Sequence, residues 1–152
     1  MDRYSYEVRH WLDLRYDAER LGRIGHDYSP YQPILGIADG AWNNGTVSMA
    51  GRMARLCADI ESLGARSLLD VGGAEGLVAE TTRRVTGIEV VSSDLSLAAS
   101  RRAHHVFDLP ALACEADRLP FADGAFDVVY CGEVIEHLAR PIEALLELAR
   151  VA

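Results

Sequence analysis

The chain has 152 residues, of which 49% are apolar and 25% charged, which is typical of one globular domain with a buried core. Its net charge of −8 argues against a basic face that binds nucleic acid without sequence preference. No apolar run approaches the roughly 20 residues that span a bilayer, so we expect a cytoplasmic protein without membrane contact. The three cysteines form no Cys-x-x-Cys pair, so the sequence supports neither a zinc site nor a disulfide framework.

Residues 1–46 are predicted to form a helical and loop extension that precedes the main domain, residues 47–152. Apolar positions at helical spacing predict an amphipathic helix over residues 5–22. Residues 25–46 are rich in proline, glycine and asparagine, which is typical of a loop. The aromatic residues of this loop favour contact with the domain, either as a lid or as an arm packed on its surface.

Strand and helix patterns alternate from residue 47 onward. Strands are predicted at residues 67–71, 88–91 (ending near Asp94), 111–114 and 126–131. Helices are predicted at residues 47–63, 76–85 and 96–105, from Glu133 to Leu138, and from Pro141 to the end. This alternation favours an α/β fold, namely a Rossmann-like, doubly wound parallel sheet with helices on both faces.

A glycine-rich turn follows the first predicted strand and contains Asp70, Gly72, Gly73, Ala74 and Gly76. A strand, a glycine turn and a helix N-terminus together suit a nucleotide-like ligand, because glycine lets the ligand approach the backbone. The acid at position 70 would repel a pyrophosphate and attract a sulfonium or ammonium group. The turn therefore favours S-adenosylmethionine over NAD, and the lack of Gly-x-Gly-x-x-Gly also disfavours NAD.

Acidic residues follow the second and third predicted strands as well. Asp94 can accept hydrogen bonds from the two ribose hydroxyls of a nucleoside, or it can cap a helix that begins at Leu95 or Ser96. The segment that begins at Glu115 and Ala116 can meet an adenine edge, or it can form only a polar turn. With the glycine turn upstream, the sequence favours the nucleoside contact for Asp94.

The segment after the fourth predicted strand carries Glu133, Glu136 and His137 at helical spacing i, i+3 and i+4. On one face of a helix, these side chains could hold a divalent cation, and His137 could act as a general base. Alternatively, the acids only stabilise the helix N-terminus and His137 makes a structural hydrogen bond. The sequence leaves all three interpretations open.

From about residue 67 to residue 151 the chain resembles the class I S-adenosylmethionine-dependent methyltransferases of the type-11 group. The segments that carry the resemblance are LLDVGGAEG, VVSSDLS, EADRLPFADGAFDVVYCGEVIEHL and RPIEALLELARVA. It implies that the glycine turn lines the methionine and ribose end of the cofactor, that Asp94 holds the ribose, and that Glu115 with Ala116 meets the adenine. The full set of expected cofactor contacts is Asp70, Gly72, Gly73, Ala74, Gly76, Asp94, Leu95, Glu115, Ala116 and Cys131.

The resemblance also carries expectations about the sheet and about metal. It implies the strand order 3-2-1-4, with no counterpart in this sequence to strands five to seven of the family. The fourth strand would then be an edge through which a homodimer could form. The Glu-x-x-Glu-His element resembles that of small-RNA 2′-O-methyltransferases and ubiquinone-pathway O-methyltransferases, which bind magnesium. Ala74 and Glu115 depart from the glycine and the aspartate that are usual in the family.

Taken together, these features predict a methyltransferase that transfers a methyl group from S-adenosylmethionine to an unidentified acceptor. A small-molecule acceptor is favoured over RNA. One alternative is a module that binds the cofactor, or a partner, without catalysis, which the missing strands favour. A dinucleotide-dependent oxidoreductase is a further, disfavoured alternative because of Asp70.

Overall fold

The computed structural model describes residues 3–7 and 44–152, which are built around four parallel strands. The strands are β1 Ser67–Val71, β2 Glu89–Asp94, β3 Ala111–Ala113 and β4 Val128–Tyr130. The helices are α1 Asn44–Leu63, α2 Leu77–Thr86, α3 Leu97–Phe107 and α4 Pro141–Val151. The predicted alternation of strands and helices is thereby confirmed.

The strands lie in the order β3-β2-β1-β4, as the sequence analysis expected. In this sheet Asp70 is in register with Ser92 on β2 and with Tyr130 on β4, and all pairings are parallel. Because parallel strands end at the same edge of a sheet, the segments after all four strands meet there. The strand order reverses at β1, since β2 lies on one side of it and β4 on the other, and open α/β sheets bind ligands at such a point.

The residues of β1 alternate between two hydrophobic clusters, as expected for a strand with both faces covered. Leu68 packs in a cluster with buried side chains of α1, α2 and α3. Leu69 and Val71 pack in a second cluster with Leu119 and with Val151 of α4. Helices therefore cover both faces of the sheet, which confirms the doubly wound arrangement.

The strand β4 is shorter and less buried than the sequence suggested. The prediction covered residues 126–131, whereas the strand itself spans Val128–Tyr130 and its three residues are half-buried. Asp127 lies just before it, and its carboxylate accepts hydrogen bonds from the backbone N–H groups of Arg66 and Ser67, at 2.8 and 3.0 Å. Within the described residues β4 pairs with β1 on one side only, so it forms an edge of this sheet.

Residues 3–7 are helical and contact α1. Tyr4 is 9% exposed and belongs to the core cluster of α1, and Arg3 Nη1 lies 3.7 Å from Glu61 Oε1. Most of the helix predicted over residues 5–22 and of the loop predicted over residues 25–46 lies outside the described residues, and the lid interpretation lies outside them too. In the part of the chain that the structure covers, no helix combines the length and the apolarity needed to cross a bilayer.

Candidate cofactor site

A cavity of about 550 Å³ opens at the carboxyl ends of the strands. Its wall is formed by the last residues of β1 and β2 and by the segments that follow the four strands. This volume lies within the usual range for small-molecule sites. The position matches the ligand-binding edge of an open α/β sheet.

The glycine turn after β1 is held against the end of β2 by backbone hydrogen bonds. The N–H groups of Gly72 and Gly73 both donate to the Ser93 carbonyl, at 2.8 and 3.0 Å. Gly72 has a φ of 76°, and a Cβ at this position would overlap the Val134 side chain. Glycine is therefore required at position 72 by both backbone conformation and packing.

Gly76 ends the turn with a φ of 82° and is not among the residues that line the cavity. A Cβ added to it would lie 2.6 Å from Leu109 Cδ1 and 3.0 Å from the Ala103 Cβ atom. Its small size therefore allows the turn to pack against α3. This packing role differs from the expectation that Gly76 exposes bare backbone to a ligand.

Ala74 adopts the left-handed conformation, with a φ of 47°. This conformation is costly for a residue with a Cβ, which gives a physical reason for the glycine that is usual at this position in the family. The Ala74 N–H donates to Asp94 Oδ2 at 2.9 Å. The strained residue is thus held in place by the acid at the end of β2.

Asp94 lines the cavity and uses both carboxylate oxygens for backbone contacts. Its Oδ1 atom accepts from the Ser96 N–H at 2.8 Å, while Oδ2 accepts from Ala74. The N-cap of α3 is Ser96, whose hydroxyl accepts from the Ala99 N–H at 3.2 Å, so Asp94 is not the cap. Each carboxylate oxygen can accept more than one hydrogen bond, which leaves acceptor capacity for ribose hydroxyls.

Asp70 lies beneath the turn instead of in the cavity wall. Its side chain packs against Gly73, and the residue is only 2% exposed. Burial, with a smaller contribution from the charge of Asp94, raises the pKa of Asp70 to about 7, although a backbone hydrogen bond from Ala79 opposes the shift. Its Oδ2 atom has no hydrogen-bond partner among the described residues. At neutral pH the carboxyl is therefore only partly ionised, which weakens the simple charge argument for a cationic ligand.

Two carboxylates follow β3 in the cavity wall, and an arginine from the segment after β4 pairs with them. Glu115 and Ala116 line the cavity together with Asp117. Arg140, which immediately precedes α4, places Nη2 2.7 Å from Asp117 Oδ2 and 3.8 Å from Glu115 Oε2. The cavity wall is thus rich in acceptors at this end.

The segment after β4 does not form the predicted helix over residues 133–138. Only a short 3-10 turn, Ile135–His137, is present, and Glu133 lies before it with a φ of 60°. Glu133 and His137 line the cavity, whereas Glu136 does not. The prediction that the three side chains share one helical face is therefore wrong.

The magnesium site, one of the three interpretations that the sequence left open, finds no support in this geometry. No three histidine, cysteine, aspartate or glutamate side chains come together as possible metal ligands among residues 3–7 and 44–152. Glu133 instead lies 4.0 Å from Arg52 Nη1, measured to its Oε1 atom. The helical spacing on which the metal hypothesis rested is absent, because the backbone leaves the helical region at Glu133.

Half of the expected cofactor contacts line the cavity and half do not. Those in the wall are Gly72, Asp94, Leu95, Glu115 and Ala116. Those outside the wall formed by the described residues are Asp70, Gly73, Ala74, Gly76 and Cys131. Cys131 packs with the second hydrophobic cluster, and burial raises the pKa of its thiol.

Sequence reasoning missed several residues of the wall, among them Ser93, Cys114, Asp117, Val134 and Arg140. Ser93 directly precedes Asp94, near which the second strand was predicted to end, and Cys114 is the last residue of the third predicted strand. Their position at strand ends is a signal that could have identified them. Asp117 is two residues after Glu115 in the same polar segment. Arg140 had no comparable signal, because its contact with Asp117 depends on how two distant segments meet.

Comparisons with known proteins agree with this geometry. A sequence model of the family described as "Methyltransferase domain" matches residues 69–152. The chain is 37% identical over 91 residues to the ubiquinone biosynthesis O-methyltransferase of Caulobacter vibrioides, which covers 56% of this chain and 36% of that protein. It is 34% identical over 100 residues to the demethylmenaquinone methyltransferase of Beutenbergia cavernae, with 62% and 40% covered.

A solved structure has the same fold. The N-terminal domain of EvdMO1 with SAH bound superposes with a TM-score of 0.56 and 25% identity, over 65% of this chain and 45% of that one. The chain spans about half or less of the length of the curated relatives it matches. The family match and the sheet order agree: this chain belongs to the class I S-adenosylmethionine-dependent methyltransferases.

Proposed function

We propose that the cavity binds S-adenosylmethionine and that the protein transfers its methyl group to a small-molecule acceptor. The observation that carries the proposal is the placement of Asp94, which lines the cavity and is bonded to the glycine turn. Glu115 and Ala116 follow the neighbouring strand in the same wall. An acid for a ribose and a polar segment for a purine therefore flank one cavity of suitable volume.

The residues present fit this cofactor. Asp94 would accept hydrogen bonds from the ribose hydroxyls, with Leu95 beside it as an apolar contact. Glu115 would accept from an exocyclic amine, and the Ala116 backbone would meet the purine ring. When bound, the sulfonium supplies an electrophilic methyl group. The task of the protein is then mainly to hold the acceptor in line with it and to exclude water.

His137 is the residue that we propose as a general base. It lies in the cavity wall on the 3-10 turn after β4, and its side chain is exposed. A neutral imidazole can remove a proton from a hydroxyl group near neutral pH. It would be needed if the acceptor oxygen has to be deprotonated.

The names of the relatives support an acceptor of the quinone-precursor class. Three curated relatives are named ubiquinone biosynthesis O-methyltransferases and one a demethylmenaquinone methyltransferase. We propose an aromatic ring hydroxyl as the first acceptor to examine. RNA is disfavoured because the net charge is −8 and because acidic side chains outnumber basic ones among the described residues of the cavity wall.

The test is methyl transfer from labelled S-adenosylmethionine to a panel of catechols, hydroxyquinols and RNA. We expect product with a phenolic acceptor, and at least a tenfold lower rate in the His137→Gln variant with little change in cofactor affinity, since general bases contribute about 10²-fold or more. The Glu143→Gln variant, which changes an exposed residue of α4 outside the cavity, is the control. Transfer to RNA alone would contradict the acceptor proposal.

A second candidate is a module that binds the cofactor without turnover. The observation that favours it is the four-stranded sheet, in which β4 has a partner on one side only within the described residues. Cofactor binding without methyl transfer to any acceptor of the panel would support this alternative.

A further inference from the structure

Arg140 occupies a position that is unfavourable for an arginine. It is the N-cap residue of α4, where its side chain makes no capping hydrogen bond. Serine, threonine, aspartate and asparagine are preferred there because they accept from free N–H groups of the first turn. A positive charge at a helix N-terminus is also opposed by the helix dipole. Because an arginine is unfavourable here for both reasons, we expect its side chain to make a compensating contact elsewhere.

The compensating contacts join two segments of the cavity wall. Arg140 Nη2 lies 2.7 Å from Asp117 Oδ2 and 3.8 Å from Glu115 Oε2, so one guanidinium group faces both carboxylates. Arg140 follows β4, whereas the two acids follow β3. Among the described residues that line the cavity, Arg140 carries the one guanidinium group.

Asp117 depends on this contact. Its side chain is only 14% exposed, and its Oδ1 atom is buried without a hydrogen-bond partner among the described residues. Without Arg140, a largely buried carboxylate would lose its counter-charge, which is costly, and it would move towards water. The Glu115 carboxylate would lose the same guanidinium group, which lies 3.8 Å from its Oε2 atom.

The rest of this segment is anchored separately, at the other end of α4. Glu147 Oε2 accepts from the Leu119 N–H at 2.9 Å, and Arg150 Nη2 donates to the Leu119 carbonyl at 3.0 Å. Loss of Arg140 would therefore release the side chains of Glu115 and Asp117, while residues from Leu119 onward stay attached to α4. The expected effect is local to the cavity.

We propose that Arg140 is a positioning residue that holds Glu115 and Asp117 at the purine end of the site, and thereby sets a preference for a 6-amino purine over a 6-oxo purine. The inference rests on the proposed function, since it assumes that the purine of the cofactor meets Glu115. A fixed carboxylate accepts a hydrogen bond from a 6-amino group and repels a 6-oxo group. A mobile, hydrated carboxylate would distinguish the two less well.

The experiment measures the affinities of S-adenosylhomocysteine and S-inosylhomocysteine by titration calorimetry. We expect the wild-type protein to prefer the adenosyl ligand by about tenfold or more, the equivalent of one charge-assisted hydrogen bond. In Arg140→Ala the affinity for the adenosyl ligand should fall, and the preference should shrink to less than about threefold. Arg140→Lys should recover only part of it, because an ammonium group lacks the planar fork that faces two carboxylates.

The matched control is Arg118→Ala, which removes the same charge from an exposed residue next to Asp117 that does not line the cavity. It should leave the preference unchanged, and circular dichroism should show that both variants fold. The inference would be overturned if Arg140→Ala lowered the affinities for both ligands equally, or left both affinities unchanged. Either result would leave the proposed function intact. Failure of the wild-type protein to bind either ligand would overturn both.

Discussion

The Ala74 backbone N–H donates to Asp94 Oδ2 at 2.9 Å, and this bond joins the turn after β1 to the end of β2. The same carboxylate binds the Ser96 N–H through Oδ1 at 2.8 Å. Asp94 therefore holds together the two segments that would surround a ribose, and it lines the cavity itself. Its structural role and the ligand-binding role that we propose for it are compatible, because the carboxylate can accept several hydrogen bonds.

The first prediction concerns Asp94. The Asp94→Asn variant loses the charge and one acceptor, so its affinity for S-adenosylhomocysteine should fall by about 1–3 kcal/mol, as measured by titration calorimetry. The control is Ser96→Ala, which removes the N-cap side chain of α3. It should lower the free energy of unfolding by about 1 kcal/mol without lowering the affinity for S-adenosylhomocysteine. If Asp94→Asn and the wild-type protein bound S-adenosylhomocysteine with equal affinity, the proposed contact between Asp94 and the ribose would be wrong.

The second prediction concerns the strained alanine. Ala74→Gly should raise the free energy of unfolding by about 1 kcal/mol, because glycine adopts a φ of 47° without the steric cost that a Cβ imposes. Thermal unfolding should show a Tm increase of about 3 °C. The control is Ala149→Gly on the exposed side of α4, where the same change should lower the Tm. A lower Tm for both variants would contradict the assignment of strain to Ala74.

The third prediction concerns pH. The pKa of Asp70 is about 7 in the folded protein and near 3.9 in the unfolded protein. Between about pH 4 and about pH 7 the carboxyl is therefore protonated in the folded state and ionised in the unfolded state. The stability that Asp70 contributes is thus fully present below about pH 4 and is lost as the pH rises through about 7. Asp70→Asn keeps a neutral side chain and should escape this loss.

We compare the Tm of Asp70→Asn with the Tm of the wild-type protein at each pH. This difference should be larger at pH 8 than at pH 5, by about 4 °C or more in favour of the variant. Glu143→Gln, on the exposed side of α4, should show the same difference from wild type at both values. A constant difference for Asp70→Asn across this range would mean that the buried carboxyl does not titrate there.

The sequence predicted the sheet well and the cavity only in part. The bounds of β1 agree with the prediction, because a five-residue run with three apolar side chains, Leu68, Leu69 and Val71, ends directly before Gly72. The helix predicted from Glu133 fails, since spacing alone could not show that Glu133 adopts a positive φ. The contact between Asp117 and Arg140 was also inaccessible, because the side chains are 23 residues apart and meet only through the sheet order.

The fourth prediction concerns association. On α4, Ile142, Leu145 and Leu146 are 65%, 48% and 68% exposed, and β4 is an edge of the sheet formed by the described residues. Because exposed apolar surface and an open strand edge both promote association, we expect this chain to dimerise or aggregate at micromolar concentration. The double variant Ile142→Glu and Leu146→Glu should reduce the mass measured by light scattering.

The control for association is Leu63→Glu, which changes a 70% exposed leucine at the end of α1, a helix that packs on the opposite face of the sheet from α4. It should leave the measured mass unchanged. A wild-type chain that is monomeric and monodisperse at all concentrations would show that this surface does not drive association.

The most direct test of the cofactor assignment is calorimetric titration of the wild-type chain with S-adenosylhomocysteine and, separately, with NAD. We expect saturable binding of S-adenosylhomocysteine with a stoichiometry near one and no measurable binding of NAD, and we expect Asp94→Asn to weaken the former. Binding of NAD in preference to S-adenosylhomocysteine, or binding of neither, would contradict the assignment of this cavity as a site for S-adenosylmethionine.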